Sequence, residues 1–367
     1  MGANTGAETA AAVAEPEVIF EVKGEAGIIT LNRPKALNAL NLSMAQALLP
    51  QLRAWAKDPA ITRVILKGAG EKAFCAGGDV RWVYEEGRAG RAVEALAFFR
   101  AEYVVDDYIG SYPKPFVSLI DGICMGGGNG LSVHAPYRVA GDRYLYAMPE
   151  VHIGLFPDVG GAHSLPRLPG FVGTYLALTG GRIRGPEAYA AGLATHVVPT
   201  AAMPALEAAL IAGGDVPATL AAHHVAPGPG SLAPHAGFIA EVFSRPSLGE
   251  IIAALEAASG REGPHAAFAA ETLAAVRKGC PTTAAIALEQ MKRGLGRDLG
   301  ACLKMDMRIV THVLQGGNFY EGVRAVLVDR DNAPKWQPPR FEDLTGEEVE
   351  AHFAPIPDEL ELLAPGS

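Results

Sequence analysis

The sequence predicts an α/β protein built from repeated β-β-α units and completed by a helical C-terminal region. Three observations carry that expectation. An apolar run of strand length is followed by a glycine-bearing turn at 64–67 with 68–79, and the same order returns at 116–120 with 121–130, where a helix start follows. From about Phe171 the chain changes to Ala-rich stretches of helical character. Finally, 367 residues that are 49% hydrophobic and only 19% charged are enough to bury a large core.

Taken in order, residues 1–16 read as a disordered leader rich in Ala and Glu. Residues 18–22 and 28–31 are short strands paired around the turn at 24–27, and Asn32-Arg33-Pro34 ends the second because proline supplies no N–H. Ser43 is placed to cap a helix running towards Lys57, which Pro50 should kink or shift. Residues 64–67 form a buried strand, and 91–110 a helix leading through Pro113 and Pro115 to the strand 116–120. Strands at 137–140 and 144–147 follow. Beyond them, helices are expected over 250–258, 266–278, 282–293 and 299–315, with the Pro/Gly/His segment 223–237 a loop between helices. The division expected is an α/β core over 17–200, a helical region over 201–353 packing on it, and a tail over 354–367.

Composition removes several classes of function. A net charge of −9 with no Lys/Arg run argues against nucleic acid as a partner. Cys75, Cys124, Cys280 and Cys302 form no C-x-x-C pair, so neither a disulfide framework nor a metal site is expected, and a reducing compartment fits. The leader has no Arg or Lys and no apolar h-region, which leads us to expect a cytoplasmic protein. No run of about 18 apolar residues is present to span a membrane.

Chemistry concentrates in Met148-Pro149-Glu150-Val151-His152-Ile153-Gly154-Leu155-Phe156-Pro157-Asp158-Val159-Gly160-Gly161, where two carboxylates sit among apolar and glycine neighbours. Burial and mutual repulsion raise carboxyl pKa values, so such a pair can divide acid, base and nucleophile roles. Upstream, Phe74-Cys75-Ala76-Gly77-Gly78-Asp79 and Met125-Gly126-Gly127-Gly128 are turns whose free N–H groups would form an oxyanion hole if they converged. Plainer readings stand beside these: Glu150 as a helix N-terminal acid, Asp158 as a helix cap, and the glycine triplet as a tight turn. Neither turn matches a dinucleotide or phosphate-loop fingerprint. His152 has no Ser or Cys partner for a triad, His223 and His224 are expected at the surface, and Cys75 is expected to pack.

Four motifs in order, Asn32-Arg33-Pro34-Lys35-Ala36-Leu37-Asn38-Ala39-Leu40, Lys72-Ala73-Phe74-Cys75-Ala76-Gly77-Gly78-Asp79, Met125-Gly126-Gly127-Gly128 and Met148-Pro149-Glu150, resemble the crotonase (enoyl-CoA hydratase/isomerase) superfamily. The resemblance implies a crotonase-like spiral of β-β-α turns, an acyl-CoA substrate, no separate cofactor, and an oxyanion hole made by the amides of Gly78 and Gly127. Lys35, Leu37 and Ala76 match the positions that hold the nucleotide end of coenzyme A. A homo-oligomer is an option, since members of the superfamily often form trimers.

Within the superfamily the hydratases use two glutamates. The first falls where this chain has Gly130, the second matches Glu150, and Asp158 stands where hydratases generally carry glycine. The run Gly154–Gly161, together with Asn318-Phe319-Tyr320-Glu321-Gly322-Val323-Arg324 and the following Ala325–Asp331, instead resembles the branch that hydrolyses 3-hydroxyisobutyryl-CoA in valine catabolism, over residues 17–353. That branch implies hydrolysis of 3-hydroxyisobutyryl-CoA, with 3-hydroxypropionyl-CoA as a second substrate. Glu150 would attack the thioester or direct water at it, and Asp158 would orient water or substrate. Glu102 would receive a hydrogen bond from the substrate hydroxyl. Glu321-Gly322-Val323-Arg324 supports the site, covers the ligand, or is a helix-surface ion pair. An enoyl-CoA hydratase or isomerase of the same fold, and a non-catalytic acyl-CoA-binding protein, remain as alternatives.

Overall fold

The structure is a computed structural model that describes residues 15–363. The expected leader therefore lies almost wholly outside the described residues, as do the last four residues. Strands β1 (Val18–Lys23) and β2 (Ala26–Leu31) pair antiparallel, with Val18 opposite Leu31. Helix α1 (Leu42–Lys57) continues unbroken through Pro50 and is capped by Asn41, whose side chain accepts from the Met44 amide at 2.9 Å. The expected cap, Ser43, lies inside the helix and turns its hydroxyl to Glu17 and Asn41 instead. Asn outranks Ser only marginally as a cap, so position decided between them.

The repeated units are visible in how successive strands part. Strands β3 (Arg63–Gly68), β5 (Phe116–Ile120) and β7 (Tyr137–Ala140) enter one sheet, while β4 (Ala73–Cys75), β6 (Ile123–Met125) and β8 (Leu145–Ala147) enter another. Each turn of the spiral lays its first strand in the larger sheet and its second in the smaller. Two strands of two residues, β9 (Ile183–Arg184) and β10 (His196–Val197), complete the sheets in the orders β4-β6-β8-β9 and β1-β2-β3-β5-β7-β10. The parallel pairs β3/β5 and β5/β7 are buried on both faces, which is why 64–66 reads as an unbroken apolar run and 116–120 as one interrupted only by the buried Ser118.

Helices α2 (Val80–Arg88), α3 (Ala92–Gly110) and α4 (Gly127–Val133) follow the first two turns of the spiral. Helix α3 is buried along most of its length and packs against α1, α2 and the helix Leu299–Val313. After Val197 every regular element is helical. The expected helices are present as Leu248–Ser259, Ala266–Lys278, Pro281–Gly294 and Leu299–Val313. His223 and His224 are not at the surface as expected. They are partly buried, with His224 Nδ1 accepting from the Val197 amide at 3.0 Å at the end of β10. The stretch expected as a tail also docks as far as 363: Ile356 and Leu360 enter the main core, and Arg100 donates to the carbonyls of Asp358 and Glu359.

Candidate active site

The two glycine turns and the carboxylate segment, spread over residues 74–161, are drawn together by short polar side chains. Asn38, fully buried with φ of 56°, donates through Nδ2 to the carbonyls of Ala69 and Ala73 at 2.9 Å and accepts from the Arg33 amide. The Leu40 amide then donates to the Gly77 carbonyl at 2.8 Å, and the Asp79 amide donates to that of Leu40. Arg33 closes the same join through an ion pair with Asp79, which caps α2. On the other side, Asn129 donates to the Ala147 carbonyl at 2.9 Å and to Met148 Sδ at 3.0 Å, tying the glycine triplet to Met148-Pro149-Glu150.

As a result Ala76, Gly78, Glu102, Gly127, Glu150 and Asp158 line one cleft, together with Phe98, Phe99 and Leu155. The turns are in contact: a Cβ built on Gly127 would stand 3.3 Å from the Gly78 nitrogen and clash with Glu102 Oε1. Neither the Gly78 nor the Gly127 amide donates to another group among the described residues, which leaves both N–H groups for a ligand. Gly77 and Gly126 have φ of 118° and 46°, values that side chains resist. Lys35 and Leu37 are not part of the cleft wall. They lie on the strand of chain beside it, where the Ala76 amide donates to the Leu37 carbonyl at 3.0 Å, and Lys35 is exposed.

The carboxylates are buried: Glu102 is 2% exposed, Glu150 5% and Asp158 4%. Asp158 accepts from the Tyr103 hydroxyl at 2.7 Å, so its side chain does not cap the short helix Gly161–Ser164. Glu150 opens the 3-10 turn Glu150–Ile153, but its Oε2 is buried and has no partner. Burial first, then the Asp158 charge, pushes the Glu150 carboxyl well above its usual range. Burial also raises Asp158, to about 6, against the opposing pull of the Tyr103 hydroxyl. The Tyr103 hydroxyl favours the charged form of Asp158 and no such donor among the described residues reaches Glu150 Oε2, so Asp158 is the first of the two to ionise.

Sequence reasoning missed four participants. Tyr103 and Asp106 sit on α3 beside Glu102, Asp106 one helical turn further on the same face. Asp106 is fully buried with both oxygens unpartnered, and burial with the charges of Asp158 and Asp306 raises its carboxyl well above the usual range. A Cβ on Gly130 would stand 2.5 Å from Asp106 Oδ2 and 2.8 Å from the Val159 Cβ. Asp306 and Gln290, from the helical region, reach the segment that carries Asp158. The i, i+4 spacing that puts Asp106 on the same face of α3 as Glu102 was a usable signal for Asp106. No local pattern points to Tyr103, Asp306 or Gln290.

Other residues singled out by the sequence stand apart from the chemistry. His152 engages the Ala275 carbonyl at 3.1 Å, and Cys75 is buried with its thiol pushed up to about 12. Arg324 pairs with Glu321, Asp329 and Asp331 at the surface, while Gly322 packs against Ile153 with no room for a Cβ. The segment thus packs on the 3-10 turn that Glu150 opens and forms an ion-pair network.

Comparison with known proteins adds to this geometry. Residues 26–353 match the family model described as enoyl-CoA hydratase/isomerase. The chain is 44% identical over 354 residues to the mitochondrial 3-hydroxyisobutyryl-CoA hydrolase of Xenopus tropicalis, covering 94% of this chain and 90% of the relative. It is likewise 44% identical over 350 residues to the Homo sapiens protein of the same name, covering 93% and 89%. Among solved structures, a carnitinyl-CoA dehydratase from Mycobacterium thermoresistibile superposes with a TM-score of 0.88 at 40% identity, covering 94% of this chain and 98% of that one. An enoyl-CoA hydratase from Rhodobacter sphaeroides gives 0.88 at 39%, covering 95% and 100%. The curated relatives are named as mitochondrial, which overturns the cytoplasmic location expected from the leader.

Proposed function

The chain belongs to the enoyl-CoA hydratase/isomerase family, and from that premise we propose that it hydrolyses the thioester of 3-hydroxyisobutyryl-CoA to the free hydroxy acid and CoA. The observation that carries the choice of hydrolysis over hydration is Gly130. The hydratases this chain resembles need a glutamate there, and here Asp106 and Val159 occupy the space that any side chain would enter. While that acid is missing, a second one, Asp158, lines the cleft with Glu150.

In this reading the thioester oxygen lies between the Gly78 and Gly127 amides, which stabilise the negative charge that grows there. One such donor is worth about 10²–10³ in rate. Once the pair has lost its first proton, the remaining one moves from Glu150 to Asp158 as the thioester binds, and Glu150 attacks as the carboxylate. As the C–S bond breaks, that proton passes to the leaving thiolate, and Asp158 then takes a proton from the water that completes hydrolysis. Trapping with hydroxylamine distinguishes an acyl anhydride on Glu150 from direct attack by a water that Glu150 deprotonates. In this reading Glu102 accepts a hydrogen bond from the 3-hydroxyl, which its buried and unpartnered Oε1 beside Gly127 supports. The same hydroxyl is available in 3-hydroxypropionyl-CoA, a second substrate in this reading. Coenzyme A is here part of the substrate, its nucleotide end lying along Lys35, Leu37 and Ala76.

The test is release of CoA from 3-hydroxyisobutyryl-CoA, beside water addition to crotonyl-CoA, by the wild type, Glu150→Gln and Asp158→Asn. Hydrolysis without hydration, lost in both variants, is expected. A wild type that releases no CoA sinks the assignment, and release unchanged in both variants sinks the site.

A further inference from the structure

Val159 is a β-branched residue with φ of 51°, in the left-handed region that such side chains avoid. It follows Asp158 directly, so its backbone sets where the Asp158 carboxylate points. Left to itself, a valine there would return to an extended or right-handed conformation. Four hydrogen bonds oppose that return. The Gly161 amide donates to the Asp158 carbonyl at 2.7 Å, and His134 Nε2 lies 2.8 Å from the Val159 carbonyl. Gln290 Nε2 donates to the Pro157 carbonyl at 2.9 Å, and the Gly160 amide donates to Asp306 Oδ2 at 2.9 Å.

The last two pins are also joined to each other, because Gln290 Nε2 donates to Asp306 Oδ1 at 2.7 Å. Both side chains are fully buried, on the helices Pro281–Gly294 and Leu299–Val313, and a buried carboxylate is expensive unless it is used. Here each is spent on the backbone on either side of Asp158. We propose that Gln290 and Asp306 form a clamp that holds Val159 in its left-handed conformation and so positions the Asp158 carboxylate for the reaction. They are positioning residues, since neither lines the cleft. Through them the helical region takes part in catalysis at a distance, and the inference rests on the hydrolase reading only for its kinetic readout.

The test compares wild type, Gln290→Met and Asp306→Asn, each also combined with Val159→Gly. Methionine keeps the volume of Gln290 without its donor, and asparagine turns an Nδ2 donor towards one of the clamp's own donors. Hydrolysis of 3-hydroxyisobutyryl-CoA by the folded single variants is expected to lose kcat by about 10–100-fold with KM changed less than about threefold, the signature of a misplaced group. Because glycine occupies the left-handed region freely, Val159→Gly is expected to restore part of the lost kcat in each double variant. Folded variants that keep wild-type kcat overturn the proposal, as does a loss that Val159→Gly only deepens. Should Asp306→Asn not fold, Gln290→Met carries the same comparison. Exchange of the Gly160 amide, expected to quicken at least about tenfold in Gln290→Met, reads the clamp without any substrate. Unchanged exchange refutes the clamp even if the wild type proves to hydrolyse a different thioester, whereas faster exchange in an enzyme inactive on this one faults only the assigned function.

Discussion

Removing the Tyr103 hydroxyl should move the acid limb of the pH–rate profile upward. The bond to Asp158 is 2.7 Å long, both partners are buried, and the hydroxyl opposes the rise that burial imposes on Asp158. A hydrogen bond to a charged group contributes about 1.5–3 kcal/mol. At about 1.36 kcal/mol per pKa unit, its loss in Tyr103→Phe raises Asp158 by about 1–2 units, from about 6 in the wild type. A higher pKa delays the first ionisation of the Glu150–Asp158 pair, which the attack requires, further into the neutral range, so kcat/KM at neutral pH should fall by about 2–10-fold and recover in mild alkali. The assay is initial-rate hydrolysis of 3-hydroxyisobutyryl-CoA followed across pH. An acid limb that coincides with that of the wild type refutes the reasoning. So does a loss of equal size at every pH, which would make Tyr103 a structural support and leave the ionisation of Asp158 to other groups.

Asp158→Asn should abolish hydrolysis yet stabilise the fold above about pH 6. The folded pKa of Asp158 lies above its ordinary 3.8, so the native state holds the proton longer and stability falls as pH rises between the two values. Asparagine removes that cost, worth at most about 3 kcal/mol, and denaturant midpoints should show the gain in mild alkali and lose it in acid. Gly127→Ala should lower hydrolysis by about 10²–10³-fold in a protein with a wild-type circular dichroism spectrum, because the new methyl stands 3.3 Å from the Gly78 nitrogen and displaces Glu102. Glu102→Met should cut the preference for 3-hydroxyisobutyryl-CoA over isobutyryl-CoA by about 10–100-fold, read as the ratio of kcat/KM values, by leaving the hydroxyl without its partner.

What could be read from the chain alone follows from how local each signal is. Strand β5 and the pairing of β1 with β2 are legible because apolar runs and turn residues are contiguous. Strands β9 and β10 are not: each is two residues long, and only the neighbouring strand makes it one. The same holds for Ser43 against Asn41, where two good caps stand two residues apart and the helix start chooses between them. Among site residues, Glu150 and Asp158 stood out as acids in apolar company. Lys35 and Leu37 matched a motif, yet the motif runs beside the cleft without entering its wall.

Gly130 shows why the remainder needed three dimensions. In the sequence it is only a missing glutamate, and a missing side chain can be restored by substitution. In the fold it is a position closed by two others, Asp106 from α3 and Val159 from the segment after Asp158. Introducing a glutamate there would drive into a carboxylate that already repels its neighbours. It would also press on the residue whose strained backbone aims Asp158. The absence of the first hydratase acid and the aim of Asp158 are therefore one packing arrangement seen from two sides. A Gly130→Glu exchange alone should accordingly destroy hydrolysis without creating hydration, since it displaces Val159 before it can offer a second acid.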